Sequence, residues 1–310
     1  SPAPMRASID IGTNTVLLLV ARINSHNLEI VHEEQRIPRL GRGVDGSKRL
    51  SEESIGRVID VLNDYHSIID KKYPQVDQIL ITATSAVRDA TNRSEFMEKV
   101  IAETGFEMRI LSGLEEAEAT YRGAVTALRN VALADPVLIM DIGGGSTELV
   151  HGNQNRLLQS HSFNIGSVRF TERFLKHDPP LDSEIESCRS AIYQALSSKP
   201  FRIPDNTKAI GVAGTLTSLA YIKLGMQSYD AERVNGHILE LSEIKNFIRE
   251  ISEMSSEELL SNHPVVMKGR ADVFLAGCLI LEQFMRLYEF DSIHVSAGGI
   301  RHGTLIHSRL

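Results

Sequence analysis

Apolar and polar positions along the chain follow two periods, which indicates an α/β protein. Short apolar runs, ending at Asp10 and Asp141 among others, predict strands. Further strands are predicted at 29–36, 78–82, 107–111, 137–141, 147–151, 156–163, 208–212 and 292–296. Apolar residues repeated every three or four positions predict a helix opened by Ser51. Other helices are predicted at 93–103, 115–129, 168–176, 182–197, 215–224 and 270–288, with a last one from about 301.

The order of these elements repeats, because each half has three strands followed by alternating helices and strands. We therefore expect two α/β domains, residues 1–127 and 128–310, whose last helix over about 301–310 can pack back on the first domain. Residues 1–4 precede Met5 and are left out of this prediction. Two such domains joined by a helix are expected to leave a cleft between them.

One short phrase occurs twice, as Asp10-Ile-Gly-Thr-Asn-Thr and as Asp141-Ile-Gly-Gly-Gly-Ser, and a predicted strand follows each copy. Each loop is therefore predicted to be a hairpin turn, unlike a Walker A or dinucleotide loop, which opens a helix. Backbone N–H groups of glycine and hydroxyl residues can surround an anion, whereas the leading aspartate repels phosphate unless a metal ion lies between them. The predicted phosphate-binding residues are Gly12, Thr13, Asn14, Thr15, Gly143, Gly144, Gly145 and Ser146. An ordinary glycine-bearing turn is the alternative for either copy, and the repetition disfavours it.

Composition narrows the class of partner. The 310 residues are 42% hydrophobic and 24% charged, with a formal net charge of −7, which argues against a general nucleic-acid-binding surface. No apolar stretch has the length of a membrane span and no signal region is recognised, so a cytoplasmic protein without membrane partners is expected. Cys188 and Cys278 form no Cys-x-x-Cys pair and are expected to be reduced.

Several motifs, taken together and in order, resemble the exopolyphosphatase and guanosine-pentaphosphate phosphohydrolase (Ppx/GppA) family over nearly the whole chain. They are the two Asp-led phrases, Thr82-Ala-Thr-Ser-Ala-Val-Arg88-Asp-Ala-Thr-Asn92, Ser112-Gly-Leu-Glu-Glu116-Ala, Gly211-Val-Ala-Gly-Thr215, Arg270-Ala-Asp272 and Gly298-Gly-Ile-Arg301-His-Gly303. The resemblance implies a duplicated actin-like (ribonuclease H-like) α/β fold, in the short two-domain form. It also implies hydrolysis of a terminal phosphoanhydride bond, with inorganic polyphosphate or guanosine pentaphosphate as substrate and no nucleic acid; a homodimer is compatible with it.

The resemblance places the general base at Glu116, and a carboxylate at the start of a helix can deprotonate water. Glu115 is the rival, because adjacent helical residues point about 100° apart and only one is expected to face the site. Arg88 follows a strand and a run of small residues, from which it can bind phosphate or form a surface ion pair. Gly214 and Thr215 offer a helix N-terminus for an anion, with capping as the ordinary alternative.

Asp141 and Glu148 are the leading candidates for metal ligands, and Asp10 can supply a third carboxylate. Hard oxygen ligands in small number suit Mg²⁺, with Mn²⁺ as the alternative ion. Against this assignment, a strand glutamate such as Glu148 is often a solvated outer residue.

Four activities stay open at this point. The main prediction is an exopolyphosphatase, and hydrolysis of guanosine pentaphosphate or of nucleoside triphosphates in general is the nearest alternative. An actin-like nucleotide switch without turnover and a kinase acting on a small acceptor are the others. The stretch from Arg36 to Arg42 is either a basic track for a polyphosphate chain or a solvated loop.

Overall fold

A computed structural model describes residues 3–25, 27–128, 136–153 and 156–307. The chain divides into two compact units, the first made of Ser1–Thr126 with Ile300–Leu310 and the second of Ala127–Gly299. The ends predicted for two helices, at Arg129 and Leu310, lie outside the described residues.

The first unit is a five-stranded sheet with helices packed on it. Its strands are β1 (Met5–Ile11), β2 (Val16–Asn24), β3 (Asn27–Arg36), β4 (Val76–Ala83) and β5 (Arg109–Ile110). Its helices are α1 (Val44–Ser47), α2 (Glu52–Lys72), α3 (Ser85–Asp89), α4 (Arg93–Thr104), α5 (Gly113–Ala127) and α13 (Ile300–His307). The strand order is β3-β2-β1-β4-β5, with β2 antiparallel to both neighbours and the β1–β4 and β4–β5 pairs parallel.

The second unit repeats this plan with one more strand. Its strands are β6 (Val137–Ile142), β7 (Thr147–Asn153), β8 (Arg156–Phe163), β9 (Lys208–Val212), β10 (Ile238–Glu240) and β11 (Ser292–Val295). Its helices are α6 (Ser167–Phe174), α7 (Asp182–Ser197), α8 (Gly214–Leu224), α9 (Ala231–Val234), α10 (Leu241–Ser252), α11 (Ser256–Asn262) and α12 (Phe274–Leu287). Read from its other edge, the order β8-β7-β6-β9-β11 matches that of the first sheet, and β10 adds an antiparallel edge. The predicted duplicated α/β fold is confirmed.

The central strands are apolar along their length because both faces of each sheet are covered. In β2, Leu18 and Val20 join the core that includes α2, whereas Leu19 and Ala21 face Leu305 of α13 on the other side, as the period of two requires. Helix α13 approaches α5 closely at Gly303, where a Cβ atom would lie 1.8 Å from the carbonyl oxygen of Ala119.

A buried polar cluster also fastens α13 to the first sheet. Arg301 donates to Glu33 of β3 at 3.1 Å, His302 lies 3.5 Å from the same carboxylate, and Ser8 donates to the carbonyl of Arg301 at 2.8 Å. Burial opposes ionisation of Glu33, but the hydrogen bond from His302 and the charge of Arg301 outweigh it and lower the pKa of Glu33 to about 2. Burial and the nearby Arg301 charge also lower the pKa of His302.

The predicted elements end within about two residues of the observed bounds in most cases. Ser51 caps α2 by accepting a hydrogen bond from the Ser54 N–H, and the bounds of α7 and β9 are as predicted. The helix predicted from Arg270 begins only at Phe274, since Arg270 lies in the preceding turn. Residues 225–269, for which no element is predicted, form α9, β10, α10 and α11.

Among the described residues, no helix is both long and apolar enough to cross a membrane. Cys188 and Cys278 are unpaired and buried, as expected of reduced structural thiols, and burial raises the pKa of Cys188 to about 12.

Candidate functional site

The two Asp-led phrases form hairpin loops of the same geometry, as predicted. Gly12 donates to the carbonyl of Thr15 at 2.9 Å, and Gly143 donates to that of Ser146 at the same distance. A Cβ atom at Gly143 would lie 2.9 Å from the Ser146 oxygen, so a larger residue would distort the turn. These loops connect β1 to β2 and β6 to β7.

The carbonyl groups of the three glycines in the second loop accept hydrogen bonds from helix α6. The first three residues of α6 donate their N–H groups to the carbonyls of Gly143 and Gly144 at 2.9–3.0 Å, and the Arg169 Nε donates to Gly145 at 2.7 Å. This contact needs a glycine at position 166, where a Cβ atom would lie 2.3 Å from the Gly144 oxygen.

The N–H groups of the same loop are left available. Those of Gly144, Gly145 and Ser146 donate no hydrogen bond to any part of the chain that the structure describes. Successive N–H groups of this kind form a concave anion-binding site. Three of the four predicted phosphate-binding residues of the second loop therefore have donors for that role, whereas the N–H of Gly143 is used within the turn.

The first loop is arranged in the same way. The carbonyls of Thr13 and Asn14 accept hydrogen bonds from the N–H groups of Gly41 and Arg39, at 2.7 and 3.0 Å. The N–H groups of Thr13 and Thr15 have no acceptor among the described residues. In both units, the segment that follows the third strand thus holds the loop by its carbonyls.

The second hairpin carries a pair of buried carboxylates. Asp141 on β6 lies directly opposite Glu148 on β7, and Glu148 lies opposite Ser162 on β8. Side chains that are directly opposite share one face of a sheet, with Cβ atoms about 5 Å apart. Glu148 is 1% exposed and accepts a hydrogen bond from Ser162, so the solvated outer position considered for it is wrong.

The Asp141–Glu148 pair suits a magnesium ion that completes its coordination with water and phosphate, and it is too small a set for a site made of protein ligands alone. No group of three or more His, Cys, Asp or Glu side chains suited to a metal occurs in the described part of the chain. Mg²⁺ uses one or two carboxylates and completes its shell with water and phosphate, so two ligands suffice. Asp10 has the corresponding position in the first hairpin, where it lies opposite Leu17, and its role as a ligand stays a prediction.

Arg88 and Glu116 lie together in the first unit. Arg88, in the last turn of α3, donates through Nη1 both to the carbonyl of Leu111 at 2.7 Å and to the carboxylate of Glu116. Glu116 is 2% exposed, although it lies in the first turn of α5. The pair combines a carboxylate that can act as a base with a guanidinium that can bind phosphate.

Glu115 has a different environment, which separates it from its neighbour. It accepts a hydrogen bond from the N–H of Ser112 at 3.1 Å, while its own N–H donates to the Ser112 hydroxyl, also at 3.1 Å. It forms an ion pair with Arg109 as well, whose side chain is 72% exposed. Glu115 therefore completes a capping box that stabilises the start of α5.

The start of helix α8 meets a buried arginine. A Cβ atom at Gly214 would lie 2.2 Å from Nη1 of Arg270, so only glycine lets the guanidinium approach. Arg270 donates to the Ser218 hydroxyl at 3.1 Å and forms no ion pair with any described residue. Burial lowers its pKa. A buried guanidinium beside a helix N-terminus is suited to an anion.

The residue before this helix is strained. Ala213 has φ +80° and ψ −177°, a region that is nearly restricted to glycine. The Thr215 side chain, one residue into α8, packs against Gly277 of α12, where a Cβ atom would lie 2.4 Å from its hydroxyl oxygen. Thr215 is thus part of the helix packing, and its contact with phosphate stays a prediction.

Sequence reasoning assigned no role to Arg270 or Ser162. Arg270 was in a motif of the resemblance, but its partners Gly214 and Ser218 are more than 50 residues earlier in the chain. Ser162 contacts Glu148, and this contact can be recognised only once the register of β7 and β8 is known. The capping box was visible, since Ser112-Gly-Leu-Glu115 has the Ser-x-x-Glu spacing.

Comparison with known proteins gives consistent results. Residues 19–310 match the model of the Ppx/GppA phosphatase family. Exopolyphosphatase 2 of Mycobacterium tuberculosis is 33% identical over 294 residues, which cover 90% of this chain and 89% of that protein. A crystal structure of the Aquifex aeolicus family member is 33% identical, with a TM-score of 0.82 over 99% of this chain and 98% of that one.

A further relative is longer. The bifunctional 3-dehydroquinate synthase/phosphatase of Fusobacterium nucleatum is 34% identical over 312 residues, covering 97% of this chain. The chain spans only 46% of that protein. With the match to the family model over most of its length and the two hairpin loops in place, this chain belongs to the Ppx/GppA phosphatase family.

Proposed function

We propose that this protein is a Mg²⁺-dependent hydrolase of terminal phosphoanhydride bonds that releases orthophosphate from the end of inorganic polyphosphate. The observation that carries the proposal is the second hairpin. Its loop offers the N–H groups of Gly144, Gly145 and Ser146, and the buried carboxylates of Asp141 and Glu148 lie on the strands before and after the loop. Donors for phosphate oxygens beside ligands for a divalent cation are what a polyphosphate end requires.

The roles of the side chains follow from this chemistry. Glu116 accepts a proton from water as the water oxygen attacks the terminal phosphorus, and the bond from that phosphorus to the bridging oxygen breaks. A phosphate group competes with Glu116 for the guanidinium of Arg88, and its binding leaves the carboxylate able to act as a base. Within the second unit, Arg270 and the N-terminus of α8 would bind a phosphate group. Mg²⁺, held by Asp141 and Glu148, would neutralise phosphate charge.

Among the possible substrates, we propose polyphosphate because a relative that aligns over 90% of this chain is named an exopolyphosphatase. Guanosine pentaphosphate and nucleoside triphosphates contain the same terminal bond and stay the alternatives. Cytoplasmic location and a homodimer belong to the same proposal.

The test is orthophosphate release by the purified protein with Mg²⁺, with Mn²⁺ and with a chelator. Long-chain polyphosphate, guanosine pentaphosphate and ATP are compared side by side with no added acceptor. Metal-dependent release that is fastest from polyphosphate supports the proposal. Release mainly from guanosine pentaphosphate would identify an alarmone hydrolase, and no release from any substrate would refute hydrolysis. Release without an acceptor also excludes an obligatory kinase.

A further inference from the structure

The segment from Arg39 to Leu50, which we call the basic segment, is joined at one end to the first phosphate loop. Its N–H groups at Arg39 and Gly41 bind that loop, as described above. Gly41 leaves space for Thr13, because a Cβ atom there would lie 2.2 Å from the Thr13 methyl carbon. The start of the segment is therefore fixed to the loop by backbone contacts.

The other end of the basic segment is held by the residues that follow α3. The side chain of buried Asn92 donates to the carbonyl of Leu50 and accepts from its N–H, both at 2.9 Å. Thr91 donates to the carbonyl of Lys48 through its N–H and its hydroxyl, at 2.8 and 3.0 Å. Arg88, which contacts the candidate base, lies three residues before Thr91.

Between these anchors the segment is cationic and exposed. Arg39, Arg42, Lys48 and Arg49 are its basic residues and Asp45 is its only acidic one, in a chain of net charge −7. Arg42 is exposed, and its side chain has no hydrogen bond or ion pair with any described residue. A guanidinium presented by a fixed backbone beside a phosphate loop is suited to bind a second polyanion group.

We propose that Arg42 binds phosphate groups of a linear polyphosphate beyond the one that is cleaved, and so determines the preference for long chains. This inference rests on the proposed function. Of the two roles considered for the stretch from Arg36 to Arg42, it favours the basic track over the solvated loop. Arg42 acts in binding, so it lowers the KM for long chains and has no part in the cleavage step. Tripolyphosphate is too short to gain much from it.

The experiment compares Arg42→Glu with the wild type on long-chain polyphosphate and on tripolyphosphate. Arg202→Glu is the matched control, because Arg202 is also exposed and unpaired within the described chain but belongs to the second unit. For long chains we expect Arg42→Glu to raise KM at least about tenfold, with kcat within about twofold of wild type. For tripolyphosphate, KM should change less than about threefold, and Arg202→Glu should match the wild type. The dependence of KM on salt should also weaken in Arg42→Glu, since fewer counterions are released on binding.

Other outcomes overturn the inference or the function separately. Normal KM values in an active Arg42→Glu variant would refute the role of Arg42 and leave the proposed function intact. Equal increases in KM for both substrates would place Arg42 at the cleaved phosphate instead. If the wild type hydrolyses no substrate, the proposed function fails. The role of Arg42 is then tested by equilibrium binding of long-chain polyphosphate to the wild type and to Arg42→Glu. Weaker binding by the variant would support that role, and equal affinities would refute it.

Discussion

Replacing Glu116 by Gln is expected to abolish most of the turnover while preserving the fold. Gln keeps the size of the side chain and an oxygen that can accept the hydrogen bond from Arg88. The loss of charge in this buried contact is expected to cost about 1–2 kcal/mol of folding stability. The lost base is expected to lower kcat by a factor of about 10²–10⁴, which corresponds to about 3–5 kcal/mol in the barrier.

The neighbouring Glu115 provides the matched control. Glu115→Gln removes one exposed ion pair with Arg109, worth about 0–1 kcal/mol, and keeps an oxygen for the Ser112 N–H. Its kcat should stay within about threefold of wild type. Glu115 cannot replace the missing base, because its carboxylate is committed to the capping box.

The assay is steady-state orthophosphate release with Mg²⁺ on the substrate preferred by the wild type. Thermal melting and equilibrium polyphosphate binding are measured on the same preparations. Full activity of Glu116→Gln would refute the assignment of the base. A slow Glu115→Gln variant beside an active Glu116→Gln variant would transfer the role to Glu115.

Three further predictions concern other parts of the two units. Ser162→Ala removes the hydrogen bond that orients Glu148 and should weaken Mg²⁺ affinity about 10-fold, measured by metal titration of turnover and by calorimetry; unchanged affinity would argue against Glu148 as a ligand. Ala213→Gly relieves the left-handed strain before α8 and should raise the free energy of unfolding by about 1 kcal/mol in urea titrations, whereas destabilisation would show that the strain is not relieved. The pKa of Glu33 is lowered from 4.5 to about 2, so its ionised form contributes about 3 kcal/mol to folding stability at neutral pH. This contribution is complete above about pH 4.5 and is lost as the pH falls toward 2. Glu33→Gln should therefore flatten the dependence of unfolding free energy on pH in that window, and an unchanged dependence would contradict the reasoning.

The duplicated fold was predictable because the evidence for it is local. Strands alternate or run apolar over a few residues, helices repeat every three or four, and the Asp-Ile-Gly phrase marks each hairpin. The segment over 225–269 was missed although Ile244, Ile248 and Ile251 lie at helical spacing and are buried in α10.

The contacts of the candidate site were less predictable, because they join residues that are distant in sequence. Arg88 reaches Glu116 across 28 positions, and Arg270 reaches Ser218 across 52. A motif shows that these residue types are present, but only the packed strands and turns show which of them meet. The start predicted for the helix after Arg270 is wrong for a different, local reason, since apolar residues continue through the turn before Phe274.

The residue opposite each leading aspartate determines which half of the chain has two carboxylates side by side. The two hairpins share the loop, the hydrogen bonds to the loop carbonyls and the leading aspartate. They differ in the residue opposite that aspartate, because Asp141 lies opposite Glu148 and Asp10 lies opposite Leu17. A single residue on the second strand of each hairpin thus decides whether that half can offer paired oxygen ligands. The two halves are alike in architecture but differ in this one side chain, so placing a carboxylate at position 17 and measuring Mg²⁺ binding would test whether the first half can form a cation site.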